Sequence, residues 1–187
     1  GHGHLSIGAI TGSAAHLLMA SVTEIQRLRP LLVIKILEQS SDQLVVWLAE
    51  RKIDLMIGRF TDEAQRAQFQ YERLSSESLQ VVAGLNHPLR GAHDLTLTEL
   101  AHWPWILYPP STAVRKVSDD IFGSTGFTPT SGLVETPSFL FALELMQTTD
   151  MLSLQPTALV DEFVNRGLLA RIPVELPDRM PDYGLIT

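Results

Sequence analysis

Short apolar strands alternate with amphipathic helices along most of this chain, and that alternation restricts the fold more than any other feature. Residues 5–18, LSIGAITGSAAHLL, are the first instance: apolar residues predict a strand, residues 11–13 a polar turn, and the remainder a helix. Such alternation gives a parallel sheet with right-handed crossovers. The plan occurs twice, so the sequence predicts an α/β protein of two Rossmann-like lobes with a central cleft.

We predict lobe I at residues 5–85, lobe II at residues 86–182, and a final strand at residues 183–187 near the crossing back to lobe I. The turn Asn86-His87-Pro88 is predicted to carry the chain from one lobe to the other. Residues 1–4, GHGH, are interpreted as a cloning remnant or linker end, with a histidine metal site as the weaker alternative.

Within these lobes, two segments have less regular patterns. Residues 60–73 are polar and broken, which predicts a surface connection. The helix near residues 138–147 is apolar nearly all round, which predicts burial on more than one side.

Charge and composition exclude several classes of function. The net charge is −7, so the chain offers no global electrostatic basis for binding nucleic acid. It has no cysteine, which excludes disulfides and thiolate metal sites. We find no run of about 18 apolar residues and no export signal, so we expect no membrane insertion and a cytoplasmic location. No cofactor is predicted.

The predicted strand ends share one kind of chemistry. They are Thr11-Gly12-Ser13, Ser40-Ser41, Gly58-Arg59, Pro110-Ser111-Thr112, Glu135-Thr136-Pro137 and Gln155-Pro156-Thr157. Ligands of open α/β sheets bind beyond the carboxyl ends of the strands. A single hydroxyl is better explained as a helix cap, as for Ser13, and Ser40 with Gln43 has capping-box spacing. Together, however, these turns predict a ligand cleft.

Two arginines and one histidine are candidates for ligand contacts. Arg59 directly follows a strand, where its guanidinium could bind a carboxylate bidentately or form a surface ion pair, and both interpretations stay open. Arg115, one turn into its helix, is the weaker candidate. His16 is interpreted as an ordinary half-buried histidine or a ligand contact.

Catalytic motifs are missing from the sequence. There is no G-x-S-x-G elbow, phosphate loop or G-x-G-x-x-G fingerprint, and the six histidines lack metal-binding spacing. Asp119-Asp120 is best explained as a solvated helix face, because adjacent helical residues point in different directions. We therefore expect no enzyme activity and no metal.

Several segments resemble the effector-binding domain of LysR-type transcriptional regulators. They are LSIGAIT with the later LL and RLRP, Ser41–Gly58 with its I-D-L-x-I-G ending, LQVVAGLNHPL at Leu79–Leu89, Leu154–Val160, and GLLARIPV at Gly167–Val174. The likeness covers essentially the whole chain. Among subgroups, YPPSTAVR at Tyr108–Arg115 resembles regulators of the galactose-binding-protein regulator type.

The resemblance implies a fold like type 2 periplasmic solute-binding proteins, with a small-molecule inducer between the lobes. The matching effector-binding positions are Thr11, Ser13, Ser41, Arg59, Ser111, Thr112 and Thr136. The family often has glycine before Ser41, whereas this chain has Ser40, which leaves open how closely a ligand approaches the backbone there.

The resemblance also implies partners. The family's winged helix-turn-helix domain and a helix after Thr187 are missing from this chain, so DNA binding would belong to the full-length protein. Family members pair side by side as homodimers, and as tetramers when full length. The first helix, Ala14–Arg29, would face Ala113–Ser124 of the partner, with Leu17, Leu28, Val117 and Ile121 as the exposed interface residues.

The sequence thus predicts a ligand-sensing domain of a transcriptional regulator. The alternative is a solute-binding protein of a transport system, which has the same fold, and an enzyme on this scaffold is the third possibility. A sugar and a carboxylate remain comparable as the inducer.

Overall fold

The computed structural model describes residues 3–10, 13–124, 132–177 and 180–187, without the side chains of residues 13–15. The chain divides into two compact units, Gly1–Glu77 with Pro181–Thr187 (unit 1) and Ser78–Met180 (unit 2). The first boundary therefore lies eight residues before the predicted position 85. The return boundary falls between residues 180 and 181, close to the predicted 182/183.

Unit 1 has one five-stranded sheet with helices between its first strands. Its elements are β1 (His4–Ala9), α1 (Ser13–Leu28), β2 (Val33–Glu38), α2 (Ser41–Ala49), β3 (Leu55–Gly58), α3 (Glu63–Arg66), β4 (Tyr71–Ser75) and, after the return of the chain, β10 (Tyr183–Ile186). The strand order is β2-β1-β3-β10-β4. The first three strands are parallel, and β10 runs antiparallel to β3 and β4.

Unit 2 repeats the plan with a second five-stranded sheet. Its elements are β5 (Leu79–Ala83), a 3₁₀ helix (Leu97–His102), β6 (Trp105–Leu107), α4 (Ala113–Ser124), β7 (Leu133–Glu135), α5 (Phe139–Thr148), β8 (Leu152–Pro156), α6 (Thr157–Asn165) and β9 (Ala170–Arg171). The order is β7-β6-β8-β5-β9, in which β6, β7 and β8 are parallel and β5 runs antiparallel to its neighbours.

The core of unit 1 forms where α2 packs on the central strands. Leu44 of α2 is fully buried, and a Cβ placed on Gly8 of β1 would lie 2.6 Å from the Leu44 side chain and 2.8 Å from that of Ile53. Glycine therefore permits the close approach of helix and strand. Residues 44, 45 and 48 of α2 are buried and form the apolar stripe expected of an amphipathic helix.

The core of unit 2 is organised around β6. Trp105 is fully buried, its indole nitrogen donates a hydrogen bond to the Leu100 carbonyl at 3.1 Å, and its ring packs edge-on against Phe122. Burial of such a side chain is favourable only when its N–H finds a partner, and the 3₁₀ helix provides one. Among the described residues, no helix has both the length and the apolar character needed to span a membrane.

Three details of the predicted organisation are wrong. Residues 60–73 hold α3 and the start of β4, which is an edge strand with three exposed residues in its centre and so lacks a clear periodic pattern. The turn at residues 86–88 lies inside unit 2, because β5 before it pairs with β8 and β9. Helix α5 is not buried on several sides, since Leu140 and Phe141 are exposed.

Candidate functional site

The carboxyl ends of the parallel strands in unit 1 form one edge of the sheet, at which α1 and α2 begin. Beyond the strands, the Ile10 N–H bonds the Ile57 carbonyl at 3.1 Å, and the Gln39 N–H bonds the Ala9 carbonyl at 3.2 Å. The first backbone N–H groups of a helix have no partner within it, and the helix dipole adds partial positive charge there. This edge therefore offers neutral hydrogen-bond donors from two helices.

Ser41 and Arg59, both predicted site residues, lie together at this edge. The Ser41 Oγ accepts a hydrogen bond from the Arg59 backbone N–H at 3.0 Å, and a Cβ on Gly58 would lie 3.0 Å from the same oxygen. Glycine at 58 thus lets the hydroxyl sit against the end of β3. Ser40 precedes α2 but makes no side-chain capping bond, so the predicted capping box at Ser40 is wrong.

The side chain of Arg59 is held inside unit 1. It is 7% exposed and forms an ion pair with Glu77, whose side chain is 2% exposed. The Arg59 Nε also donates to the Pro181 carbonyl at 3.0 Å, and the guanidinium lies 5.7 Å from the centre of the Tyr183 ring. Burial raises the pKa of Tyr183. The surface ion pair considered for Arg59 is therefore a buried one, and its contact with a ligand stays a prediction.

Glu38 is a polar residue at the same edge that the sequence analysis missed. It is the last residue of β2 and pairs in register with Ala9, the last residue of β1. Its side chain is exposed, yet desolvation by neighbouring residues of the chain raises the pKa of its carboxyl group. Its position as the polar end of an apolar strand is the signal that could have identified it.

The carboxyl edge of unit 2 holds the predicted residues Ser111, Thr112 and Thr136. The Thr112 Oγ1 donates to the Pro109 carbonyl at 2.8 Å and accepts from the Arg115 N–H at 3.2 Å, so it caps α4. The Thr136 N–H bonds the Leu107 carbonyl at 3.0 Å, which joins the ends of β6 and β7. Ser111 is exposed in the turn before Thr112.

Arg115 has more contacts at this edge than its sequence position indicated. Its Nη1 donates to the Tyr108 carbonyl at 2.9 Å and lies 3.3 Å from a carboxylate oxygen of Glu135, and its Nε donates to Asp119 at 2.8 Å. The Arg115 side chain is 12% exposed. Asp119 is thus the partner of Arg115 rather than only part of a solvated face. The spacing of four residues is the sequence signal for this pair.

A buried polar chain lies beneath the same edge. The Tyr108 hydroxyl donates to Gln155 Oε1 at 2.7 Å, Gln155 Nε2 donates to Ser153 Oγ at 3.0 Å, and the Ser153 hydroxyl donates to the Ile106 carbonyl at 2.9 Å. Buried networks with every group bonded fix side-chain orientation. The sequence signal was the polar pair Ser153 and Gln155 within the apolar strand β8.

The remaining predicted residues have separate outcomes. Thr11 lies outside the described residues, and for Ser13 only its backbone place as the first residue of α1 is described. Leu17 and Leu28 are 41% and 62% exposed, as an interface requires. Val117 and Ile121 are buried in the core of unit 2, at 8% and 0% exposed, so their assignment to an exposed interface is wrong.

A separate groove of about 540 Å³ lies at the opposite edge of the unit 2 sheet, near the end of β5 and the start of β8, and no predicted site residue lines it. His87 in its wall is buried; its Nδ1 accepts from the Leu89 N–H at 3.0 Å, and Nε2 lies 3.0 Å from the Asp150 carbonyl. Burial lowers the pKa of His87, and the Asp150 carbonyl opposes that effect. Within the described ranges, no group of three or more His, Asp or Glu residues could hold a metal ion.

Two α/β units whose parallel strands end in hydroxyl-bearing turns at helix starts define the class of small-molecule-binding domains. The family model "LysR substrate binding domain" matches residues 1–187. This chain belongs to the LysR substrate-binding domain family, which confirms the family predicted from the sequence.

The curated relatives are transcriptional regulators. The regulator GbpR of Azospirillum brasilense is 29% identical over 187 residues, which are 99% of this chain and 55% of the relative. The chain spans 46–59% of the length of the curated relatives it matches. These matches favour the regulator class over the transport alternative.

Solved structures share the fold. The effector-binding domain of QuiR in complex with shikimate has a TM-score of 0.78 and 18% identity, covering 100% of this chain and 88% of that one. The effector-binding domain of BenM with benzoate has a TM-score of 0.72 and 24% identity, covering 99% and 83%. The predicted type 2 periplasmic-binding-protein fold is therefore confirmed.

Proposed function

We propose that this chain is the sensing domain of a transcriptional regulator and that it binds a small carboxylate-bearing metabolite at the carboxyl edges of its units. The observation that carries this proposal is the chemistry of those edges in a chain of this family. In unit 1, α2 begins at Ser41, whose hydroxyl lies against the end of β3. In unit 2, Thr112 caps α4 and Thr136 directly follows β7. Hydroxyls and helix starts together favour anionic and hydroxyl-rich ligands.

The relatives' ligands favour a carboxylate over a simple sugar. Shikimate and benzoate, which accompany the QuiR and BenM domains, are both carboxylates. Arg59 already has Glu77 as a partner, and Arg115 has Asp119 and Glu135. We therefore expect hydroxyl and backbone N–H donors to bind the ligand carboxylate, and we assign this role to the turns at Thr11, Ser13, Ser41, Ser111, Thr112 and Thr136.

A thermal-shift screen followed by calorimetric titration tests the ligand class. The probes are benzoate, shikimate and galactose, the last being uncharged. A ligand that binds the folded chain alone raises its melting temperature by mass action. We expect the acids, and not galactose, to raise it; a shift with galactose alone would overturn the carboxylate assignment.

Substitution of Ser41 tests the site. Ser41→Ala removes the hydroxyl beside Gly58, and we expect about a tenfold loss of affinity for the bound acid, as for one lost hydrogen bond to a charged group. Ser21→Ala is the control, because Ser21 is exposed on α1. Equal affinity in wild type and Ser41→Ala would contradict a site at this edge.

The influence of the effector on DNA binding follows from thermodynamic linkage. An effector shifts the regulator only if it binds one arrangement of the domain more tightly than the other. We propose that DNA binding resides in a helix-turn-helix part of the full-length regulator and that the protein acts in the cytoplasm. Titration of the full-length protein with and without operator DNA measures the coupling, and identical effector affinities in both would contradict it.

We also propose a homodimer that uses an apolar surface of unit 1, with a tetramer for the full-length protein. This surface contains Leu17 and Leu28, which lie on the same side of α1 and are 41% and 62% exposed. Contiguous exposed apolar residues mark interaction sites.

Analytical ultracentrifugation tests the dimer surface. Leu28→Glu is expected to give a monomer, because it buries a charge in the proposed interface. Leu140→Glu is the matched control, since Leu140 is 66% exposed but lies on unit 2, whereas Leu28 is 62% exposed. Dimers of equal stability in both variants would place the interface elsewhere.

A further inference from the structure

The chain leaves unit 1 after Glu77 and returns to it at Pro181, and Arg59 contacts both of these residues. Its guanidinium pairs with the Glu77 carboxylate, and its Nε donates to the Pro181 carbonyl at 3.0 Å. Arg59 itself follows β3, the strand that pairs with β10. The two segments pair as β4 and β10 up to Ser75 and Tyr183, and beyond that pairing one side chain, 7% exposed, joins Glu77 to Pro181.

Each segment is also fixed on its unit 2 side. Ser78 follows Glu77 directly, and its Oγ lies 2.7 Å from Thr157 Oγ1, while the Thr157 N–H bonds the Ser78 carbonyl at 2.8 Å. Met180 precedes Pro181 and is 8% exposed in the unit 2 core. The proline ring fixes φ at residue 181, and it restricts residue 180 as well.

We propose that Arg59 is a positioning residue that couples the two connecting segments, so that neither moves without the other. The chain passes between the two units at the Glu77–Ser78 and Met180–Pro181 links. A guanidinium suits this role, because its planar array of donors can bond a carboxylate and a carbonyl at once, whereas an ammonium on a flexible stem has no such fixed geometry. This role of Arg59 goes beyond the proposed effector function. Only one consequence rests on that function, namely that an effector that moves one segment would move both.

A matched pair of charges provides the control. Arg73 of β4 binds Asp182, which follows Pro181, with Nε 2.6 Å from the carboxylate oxygen. This pair joins the same two segments, but its side chains are 58% and 43% exposed. If an ion pair between the segments were sufficient for coupling, loss of the Arg73–Asp182 pair would act like loss of the Arg59–Glu77 pair.

Pulsed electron–electron spin resonance measures the coupling without any effector. The chain has no cysteine, so spin labels can be placed at Ala49→Cys in unit 1 and Gln147→Cys in unit 2, both exposed positions. Dilution with unlabelled protein restricts the signal to distances within one chain. We expect Arg59→Met to widen the distance distribution about twofold, Arg59→Lys to widen it less, and Arg73→Gln to leave it unchanged.

The double variant Arg59→Met/Glu77→Met separates coupling from stability. Replacement of both buried charges by apolar side chains is often neutral for stability. We expect this variant to unfold near the urea concentration of the wild type and still to show the wide distribution. A wild-type distribution in the double variant would overturn the proposal, and so would equal widening in Arg73→Gln. Because no effector is present, failure to find an effector would leave this result unaffected.

Discussion

Both units carry an arginine at the carboxyl edge of the sheet: Arg59 of unit 1 directly follows β3, and Arg115 of unit 2 lies in the first turn of α4. Their surroundings differ. Arg59 lies in the interior with Glu77 and the Pro181 carbonyl, whereas Arg115 lies under a turn, with partially exposed carboxylates at Asp119 and Glu135. An arginine at the carboxyl edge is therefore part of a buried connection in one unit and of a partly solvated network in the other, and the two should respond differently to substitution.

The largest expected effect is at Arg59. Arg59→Met leaves the buried Glu77 carboxylate without its cation, which we expect to lower the free energy of unfolding by about 3–5 kcal/mol. Urea denaturation followed by circular dichroism measures this loss. Recovery of stability in the Arg59→Met/Glu77→Met variant would assign the loss to the broken buried ion pair, whereas no recovery would assign it to packing.

We expect Arg115→Gln to lower the free energy of unfolding by about 1–2 kcal/mol, which is less than the effect of Arg59→Met. Solvent screens the carboxylate partners of Arg115, so the main loss is its hydrogen bond to the Tyr108 carbonyl. The same urea measurement compares it with Arg59→Met. Added salt sharpens the comparison, because it should weaken the Arg115 network more than the buried pair. A larger decrease in the free energy of unfolding for Arg115→Gln than for Arg59→Met would contradict the view that the Arg59 pair is the more strongly stabilising of the two.

Helix caps provide a smaller contrast between the units. Thr112→Ala removes the hydroxyl that accepts a hydrogen bond from the Arg115 backbone N–H, and we expect it to lower the free energy of unfolding by about 1 kcal/mol. Ser40→Ala is the matched variant, because Ser40 makes no capping bond before α2. Its melting temperature should therefore stay close to that of the wild type. Equal losses would mean that Ser40 does contribute as a cap in solution.

The smallest expected effect depends on pH and tests the opposite edge of unit 2. Burial lowers the pKa of His87 from the usual 6.5, so the folded state favours the neutral ring, whose Nδ1 accepts the Leu89 N–H. The unfolded chain then binds more protons, and stability falls as the pH decreases from about 6.5 towards the folded-state pKa.

The free energy of unfolding is measured for the wild type, His87→Gln and the exposed control His102→Gln between about pH 7.5 and 5, the range in which histidines titrate. We expect the acid-induced loss to be smaller in His87→Gln and unchanged in His102→Gln. An identical pH slope in all three proteins would contradict a contribution of His87 to the acid sensitivity.

Local sequence patterns were sufficient to predict most helices and strands. They failed where an apolar pattern does not distinguish a buried face from an interface, or where an exposed strand has no apolar pattern. The helix at Ala113–Ser124 was predicted correctly, but Val117 and Ile121, assigned to a partner interface, face the core of their own unit. An apolar stripe at helical spacing is buried by default, so this error could have been avoided. Strand β4 was missed because an exposed edge strand needs no alternating apolar pattern.

The candidate site was predictable in its general position and not in its contacts. Hydroxyls after apolar strands indicated both carboxyl edges, since parallel strands bring their ends together. The partners of Arg59 were not predictable, because Glu77 and Pro181 lie 18 and 122 residues away in sequence. The network from Tyr108 to Ser153 likewise depends on β6 and β8 lying side by side.

The sequence by itself determined the α/β class, the order of most helices and strands, and the turns that carry hydroxyls, because each of these depends on local periodicity and short-range chemistry. Its resemblance to known motifs indicated the family. Only the tertiary structure decided which polar side chains were buried, which carboxylate each arginine binds, and which residues belong to each unit. These outcomes depend on contacts between distant segments, and the free energy of a charge is set by the solvent and partners around it rather than by its neighbours in sequence.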